Sequence, residues 1–256
     1  MTTNVIEIRQ LTKDYGNNRG IFDVSLSVKK GEVFGFLGPN GAGKSTTIRH
    51  LMGFIQADQG SCQINGLDCL RDHARIQQAL GYLPGEIAFM DDMTGIEFIK
   101  FMAKMKGMTD LTKAYELMER FELNPQGKIK KMSKGLKQKV GIICAFMHAP
   151  ELLILDEPSS GLDPLMQNRF IELVLEEKQR GKTIFMSSHI FEEIERTCDR
   201  TAMIKDGRLI SIEELQTIKA SKHKTYQIMF ATEELAEQFM NEGFECEQVE
   251  SAVVKV

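Results

Sequence analysis

The alternation of apolar and polar residues near the N-terminus predicts two strands. Residues 5–8 and 24–28 alternate in this way, and a Gly/Asn turn at residues 16–18 lies between them, so we expect an antiparallel hairpin. Two later segments are interpreted as strands buried on both faces of a parallel sheet: residues 152–155, which are all apolar, and residues 182–189, which end in a histidine. Because helical segments separate these strands, the sequence predicts an α/β fold.

Residues 86–150 have a helical character. Thr94 followed by Glu97 fits a capping box that opens one helix, and Ser133 is a suitable N-cap for another that runs through Ala145. The region is rich in methionine, which suits either a small, adaptable core or a surface that accepts a partner's helix. The sequence leaves both interpretations open.

Residues 213–256 carry a weaker pattern, which predicts a small accessory region of β-α-β type after a main domain of residues 1–212. The expected elements are a strand at residues 226–230, a helix at 233–241 and a strand at 249–256. The apolar residues 252–256 are interpreted as an edge strand, which needs either a covering neighbour or a continuation of the chain.

Composition narrows the classes of function. The 256 residues are 42% hydrophobic and 27% charged, as in ordinary globular proteins. The net charge of −4 provides no basic field for nucleic acid, and no apolar run reaches the roughly 18 residues of a membrane span. Residues 1–7 do not resemble a signal peptide, and the five cysteines show no metal or disulfide spacing. We therefore expect a cytosolic protein that acts at a membrane only through a partner.

A phosphate-binding loop is the strongest chemical signal in the sequence. Residues 38–46 fit the pattern Gly-x-x-x-x-Gly-Lys-[Ser/Thr], with an apolar run before them and a helical run after them. Glycines let backbone N–H groups turn toward phosphate oxygens at the positive end of a helix. We expect Lys44 to reach the β- and γ-phosphates and the Ser45 hydroxyl to bind Mg²⁺. The predicted nucleotide-binding residues of this loop are Gly38, Pro39, Asn40, Gly41, Ala42, Gly43, Lys44, Ser45 and Thr46.

Polar residues also follow the two buried strands. Asp156 and Glu157 end the first one, and in a phosphate-loop enzyme the first carboxylate holds Mg²⁺ while the second takes a proton from the attacking water. His189 follows the second strand. Because active residues gather at the carboxyl ends of strands in α/β folds, we expect these three residues and Lys44 to lie together.

Tyr15 and a lysine-rich run can each be interpreted in two ways from the residues alone. Tyr15, just before the first turn, is either a strand-end aromatic packed on the core or a ring on which a base stacks. The lysine-rich run at residues 127–139 is either a solvated face or, with Ser133 at a helix N-terminus, an anion site.

In their order, these motifs resemble the ATP-binding subunit of an ABC transporter over about residues 4–212. The resemblance implies a phosphate-loop NTPase of ABC type, with a mixed sheet core, an antiparallel β subdomain, a helical subdomain at about residues 86–150 and a small C-terminal α+β appendix. Residues 38–46 look like the Walker A loop. Residues 152–156 look like the Walker B strand, after which Glu157 is the catalytic glutamate.

Three further matches support this resemblance. Residues 159–163 look like the D-loop, whose Asp163 connects two ATP sites across a dimer. His189 resembles the switch histidine that contacts the γ-phosphate. Tyr15 resembles the aromatic residue that stacks on adenine, which favours the second interpretation of this ring.

Residues 132–136 look like the family signature, usually Leu-Ser-Gly-Gly-Gln, and they keep Ser133 and Gly135, which approach phosphate. Lys134 stands where glycine is usual and Leu136 where glutamine is usual. Lys134 places a positive charge either beside the phosphate or simply on the surface.

Gly85 is a second departure, because the family has the Q-loop glutamine at this position. Glu86 or a water molecule could replace that glutamine. Both departures resemble the branch of single-cassette bacterial subunits that pair with separate export-type permeases, among them the drug and antimicrobial-peptide resistance group.

The resemblance implies a head-to-tail homodimer or pseudo-dimer that binds two ATP molecules with Mg²⁺ and hydrolyses them to drive a multi-span membrane permease, and the branch resemblance implies that this permease is an exporter. It implies no nucleic-acid partner, and a location on the inner face of the cell membrane through that permease. The alternative is a soluble ABC ATPase that acts on ribosomes or DNA, although such proteins usually carry two cassettes or a long coiled coil. A subunit that binds ATP without hydrolysing it is a third hypothesis, which the intact Asp156, Glu157 and His189 argue against.

Overall fold

The computed structural model describes residues 3–90, 92–220, 227–242 and 246–255. The chain divides into two compact units, residues 1–215 and 216–256. In chain order, the elements of the first unit are β1 (Asn4–Asp14), β2 (Gly20–Lys29), β3 (Val33–Leu37), α1 (Lys44–Leu51), β4 (Gln59–Ile64), β5 (Leu67–Asp68), α2 (His73–Ala79), β6 (Gly81–Leu83), α3 (Gly95–Met105), α4 (Thr112–Arg120), a 3₁₀ helix (Ile129–Lys131), α5 (Lys134–Phe146), β7 (Leu152–Asp156), α6 (Pro164–Gln179), β8 (Thr183–Ser188), α7 (Phe191–Thr197), β9 (Arg200–Lys205) and β10 (Arg208–Glu214).

A six-stranded sheet has the order β10-β9-β3-β8-β7-β6. Its strands are parallel except β10, which forms an antiparallel hairpin with β9. All residues of β7 and β8 are buried, as predicted for these two strands, although only β7 has an uninterrupted apolar run, which precedes Asp156. The carboxyl ends of β3, β8 and β7 therefore lie side by side at one edge of the sheet.

A second, antiparallel sheet has the order β2-β1-β4-β5, and it contains the predicted N-terminal hairpin. Apolar side chains of this sheet share one core with those of β3 and α1. Ile6, Ile21, Phe34, Ile48 and Leu51 are among the fully buried members of this core. Burial of α1 in the core anchors the loop that precedes it.

The helical region begins as the sequence predicts. The Thr94 side chain accepts a hydrogen bond from the Glu97 N–H, and the Glu97 carboxylate accepts one from the Thr94 N–H, which completes a capping box on α3. Ser133 caps α5. The methionines divide between the two interpretations, because Met118 is buried while Met105 is 62% exposed.

Within the described part of the chain, every helix is too short or too polar to cross a lipid bilayer.

The second unit corrects one expectation. Its elements after α8 (Leu215–Ala220) are β11 (Gln227–Met229), α9 (Glu233–Met240), β12 (Glu247–Glu250) and β13 (Val253–Lys255). The strand expected at residues 249–256 is two strands, and the apolar β13 pairs with β11 on one side and β12 on the other. The expected edge strand is thus the central strand of this small sheet. Tyr226 and Val256, at the ends of the expected strands, lie outside the described residues.

Candidate active site

The predicted polar residues meet at the edge of the parallel sheet. The loop of residues 38–43 follows β3, Glu157 follows β7, and His189 follows β8, which lies between the other two strands. A cleft of about 790 Å³ opens at this edge. It is lined by the predicted site residues Tyr15, Asn40, Gly41, Gly43, Lys44, Ser45, Thr46 and Glu157.

Two glycines shape the loop after β3. Gly43 is the N-cap of α1 with a φ of 108°, and a Cβ there would lie 2.6 Å from a methyl carbon of Ile21. A Cβ on Gly38 would lie 2.4 Å from the carbonyl oxygen of Ile204. Larger residues at either position would push the loop off the core, so the place of the loop and of the start of α1 beside the cleft depends on these two glycines.

Lys44 is held from three sides. Its Nζ donates hydrogen bonds to the carbonyl oxygens of Gly38 at 2.7 Å and Pro39 at 3.0 Å. The same Nζ lies 3.1 Å from Oε1 of Glu157. The ammonium is nearly buried, so these partners compensate the cost of desolvating its charge.

Glu157 has an unusual backbone conformation. Its φ of 48° lies in the left-handed region, which non-glycine residues adopt where the surrounding structure enforces it, often at functional sites. The Glu157 N–H is directed at Ser187, 3.2 Å from the carbonyl oxygen and 3.0 Å from the hydroxyl oxygen. The carboxylate Oε2 lies 3.3 Å from Nδ1 of His189. The second carboxylate and the histidine are thus in direct contact.

Asp156 is buried at the end of β7. The Ser187 hydroxyl donates to its Oδ1 at 2.5 Å, while its Oδ2 faces Gly85, where a Cβ would lie 3.1 Å away. Ser45, Gly85 and Asp156 line a second cleft, of about 560 Å³. A hydroxyl and a carboxylate that share a cleft are a donor set suited to Mg²⁺, which prefers oxygen ligands. Burial and the negative charge of Asp156 raise the pKa of nearby Tyr82 to about 12.

Tyr15 stands at the mouth of the first cleft. The side chain is 53% exposed, so it is not packed into the core. The Lys13 ammonium lies 6.0 Å from the ring centroid. An exposed ring beside the phosphate-binding loop is placed where a base could stack.

The signature residues pack against residues 159–163 of the same chain. The Ser133 side chain caps α5 by accepting from the Leu136 N–H at 3.3 Å. A Cβ on Gly135 would lie 2.6 Å from the Gly161 carbonyl oxygen. Asp163 caps α6 by accepting from the Met166 N–H at 3.0 Å. Among the described residues, those that line the two clefts do not include Ser133, Gly135 or Asp163.

Lys134, the charged residue in the signature, has a partner within the chain. Its Nζ donates to the Ser160 hydroxyl at 2.8 Å, and its stem covers Gly161. Lys134 and Ser160 both line the first cleft. The Lys134 side chain is thus exposed at the rim of the first cleft, with one hydrogen-bond partner within the chain.

Sequence reasoning missed two residues that organise the site. Ser187 contacts both Asp156 and Glu157, and Gln138 of α5 donates to the Pro158 carbonyl oxygen at 2.8 Å. The signal for Ser187 was a hydroxyl directly after the apolar residues of a predicted buried strand, since a buried polar group requires a partner. Gln138 lay within a lysine-rich run and carried no comparable signal.

Together, a phosphate-binding loop, two carboxylates and a histidine at the edge of a parallel sheet define a phosphate-loop nucleoside triphosphatase. The sequence model described as ABC transporter matches residues 21–160, and a model described as AAA domain, putative AbiEii toxin, Type IV TA system, matches residues 128–195. The chain belongs to the ABC transporter family, as an ATP-binding subunit that hydrolyses ATP.

Individual relatives agree with this assignment. The linearmycin resistance ATP-binding protein LnrL of Bacillus subtilis is 38% identical over 213 residues, which cover 81% of this chain and 68% of that protein. The bacitracin transport ATP-binding protein BcrA of Bacillus licheniformis is 34% identical over 251 residues, 97% of this chain and 82% of that protein.

Solved structures share the fold. One described as the ATP binding subunit of an ABC transporter is 32% identical with a TM-score of 0.75, covering 84% of this chain and 92% of its own. A dimeric structure of the ATP-binding cassette MJ0796 in a post-hydrolysis state, bound to ADP and Pi, is 21% identical with a TM-score of 0.73. It covers 82% of this chain and 98% of its own, and it supports the fold alone.

Proposed function

We propose that this chain works as a dimer that binds two ATP molecules and drives a separate membrane permease of export type. The observation that carries the proposal is the division of the site within one chain. The phosphate-binding loop lines the clefts, whereas Ser133 and Gly135 of the signature do not, and Lys134 between them reaches only the first cleft. A second chain, or a similar one, would place its signature opposite Lys44 and so surround the γ-phosphate with donors.

The positions of the residues support the role that we propose for each. Lys44 holds the β- and γ-phosphates, and Tyr15 stacks on adenine. Glu157 accepts a proton from the attacking water, and His189, in contact with that carboxylate, holds the γ-phosphate. Asp163 links the two sites across the dimer.

Ser45 and Asp156 would hold Mg²⁺ beside the phosphates. The bound ion would neutralise part of the phosphate charge. These two residues share a cleft, and the second oxygen of Asp156 is turned toward it by Ser187. The oxygen donors of this chain thus suit a hard divalent cation.

The permease would bind at the second cleft. Phe54, Tyr82 and Met102 line it beside Gly85, and Phe54 is 52% exposed. This cleft lies between the sheet core and the helical region, so a permease segment bound there would contact both parts. Through the permease the chain would lie on the inner face of the cell membrane, with residues 1–212 as the motor and 213–256 as an accessory region.

Export is supported by the relatives. The names of LnrL and BcrA describe linearmycin resistance and bacitracin transport. A resistance function is best served by moving the toxic compound away from the cell. These names do not favour the alternative role on ribosomes or DNA.

Cell fractionation followed by affinity purification in mild detergent tests the proposal. We expect the chain to sediment with membranes and to bring down a multi-span protein. A Phe54→Asp variant should lose this partner while it still binds ATP, and Tyr115→Asp, at an exposed ring on α4, should keep it. A chain that stays in the soluble fraction with ribosomes or DNA would overturn the transport role and leave the ATPase chemistry intact.

A further inference from the structure

We propose that Ser187 is a positioning residue for ATP hydrolysis, whose hydroxyl orients the Asp156 carboxylate and the Glu157 backbone at the same time. This inference rests on the proposed function of those two carboxylates. It concerns a residue that touches neither phosphate nor water in the proposed reaction, and that acts through its two neighbours.

The strand register brings the three residues together. β7 and β8 are parallel neighbours, and Asp156 is paired with Ser187 in their register. Ser187 is fully buried. Its hydroxyl donates to Oδ1 of Asp156 at 2.5 Å and accepts from the Glu157 N–H at 3.0 Å. A serine hydroxyl has one proton to donate, and here that proton is committed to the carboxylate.

The bond to Asp156 selects which oxygen remains for a ligand. With Oδ1 engaged by Ser187, Oδ2 is turned toward Gly85 and the cleft that Ser45 also lines. A hydrogen bond from a short, buried side chain limits rotation of the carboxylate, and a ligating carboxylate commonly depends on such a partner. Loss of the hydroxyl would leave a buried carboxylate oxygen without its donor.

The bond to Glu157 supports a backbone conformation that is unfavourable by itself. Glu157 has a φ of 48°, and its N–H is directed at both oxygens of Ser187. Conformations of this kind persist where several contacts enforce them. The direction of the Glu157 side chain, and so its contact with His189, depends on this backbone.

Thr183, at the other end of the same strand, shows what a structural hydroxyl looks like here. It is also buried, and it accepts from the Gly31 N–H at 2.9 Å, a backbone group far from the site. The two ends of β8 thus provide a matched pair. One hydroxyl serves the fold, and the other contacts both residues that the chemistry requires.

The test compares the unmodified full chain with four single-substitution variants: Ser187→Ala, Ser187→Cys, Ser187→Thr and Thr183→Val. The first readout is independent of turnover, and it is the affinity of the ADP-bound protein for Mn²⁺, measured by electron paramagnetic resonance. The second is the hydrolysis rate as a function of Mg²⁺ concentration. The melting temperature of each variant shows whether it is folded.

We expect Ser187→Ala to weaken Mn²⁺ binding by about 10- to 100-fold and to lower kcat by a similar factor, the range for removing the partner of a metal-ligating residue. Nucleotide affinity without a divalent ion should stay unchanged. Ser187→Cys, with a weak donor of similar size, should behave like Ser187→Ala and covers the case in which the alanine variant does not fold. Ser187→Thr keeps a hydroxyl, so its Mn²⁺ affinity and kcat should both stay close to those of the unmodified chain. Thr183→Val should change neither quantity.

Wild-type Mn²⁺ affinity and kcat in the folded alanine or cysteine variant would overturn the proposal. The proposal would also fail if Thr183→Val showed the same losses of Mn²⁺ affinity and kcat. It would fail as well if a folded Ser187→Thr variant lost as much of both as Ser187→Ala does. If the unmodified chain showed no Mg²⁺-dependent hydrolysis at all, the proposed function itself would fail, which is a different result.

Discussion

The Nζ atom of Lys44 lies 3.1 Å from Oε1 of Glu157, across the cleft that the phosphate-binding loop lines. The lysine side chain is only 4% exposed and the glutamate side chain 24%. An ATP γ-phosphate at this place would compete with the carboxylate for the ammonium. The pair therefore links nucleotide binding to the position of the group that activates water.

Replacing this carboxylate should separate binding from hydrolysis. We expect Glu157→Gln to lower ATP turnover by about 10²- to 10⁴-fold, the range for losing a positioned base. ATP should bind at least as tightly, because Lys44 keeps its two carbonyl partners and loses a competing anion. Phosphate release and nucleotide binding measure the two effects.

Glu151 offers a matched control for this substitution. It precedes β7 and pairs with Lys182 at the exposed end of the strand. Glu151→Gln should leave turnover unchanged. Near-normal hydrolysis in Glu157→Gln would contradict the proposed role of Glu157.

The exposed ring of Tyr15 should contribute to nucleotide affinity. Stacking of a base on an aromatic side chain is worth about 1–3 kcal/mol, so Tyr15→Ala should weaken ATP and ADP binding by about 5- to 150-fold. Tyr15→Phe should bind normally. Tyr115→Ala, at a ring that is 52% exposed on α4, is the control. Equal affinities in all three variants, measured by equilibrium titration, would exclude stacking.

Restoring the family's glutamine at position 85 should impair the site. A Cβ there would lie 3.1 Å from Oδ2 of Asp156, the oxygen that faces the cleft. We expect Gly85→Gln and Gly85→Ala to lower hydrolysis by about tenfold or more, because small displacements of positioned groups are costly. Gly127→Ala, where a Cβ meets open space, should have no effect. Faster hydrolysis by Gly85→Gln would contradict this prediction, because it would show that the Asp156 carboxylate can shift without loss of activity.

Stability should fall in mild acid because of His148. Burial, with a contribution from the Lys106 charge, lowers the pKa of His148 to about 4. The unfolded chain takes up a proton on this ring near pH 6.5, whereas the folded chain does so only near pH 4. The contribution of this residue to the free energy of unfolding is therefore fully present above about pH 6.5, and it is lost as the pH falls toward about 4.

His148→Gln removes this titration and keeps a donor for the Leu80 carbonyl oxygen, which His148 Nε2 approaches at 3.2 Å. The decrease in melting temperature between about pH 7 and about pH 5 should be smaller in this variant than in the unmodified chain. His73→Gln, at an exposed ring, should leave the decrease unchanged. An unchanged decrease in His148→Gln would contradict the assignment.

Local features of the fold were predictable because their causes lie within a few residues. The capping box of Thr94 and Glu97 and the cap at Ser133 depend on neighbours three positions away. The buried strand β7 was predictable from four consecutive apolar residues, and β8 from the three apolar residues at its centre. The central place of β13 was not predictable, because pairing on both sides depends on strands elsewhere in the chain.

The sequence by itself determined the phosphate-binding loop, the two carboxylates Asp156 and Glu157 and the family, because each is a fixed order of residue types at short spacing. Only the tertiary structure decided which side chains meet. The register of β7 against β8 joins Ser187 to Asp156, and Gly85 approaches Asp156 so closely that a Cβ there would lie 3.1 Å from Oδ2. These contacts join residues distant in the chain, and their geometry arises from strand pairing and packing, which no local pattern encodes.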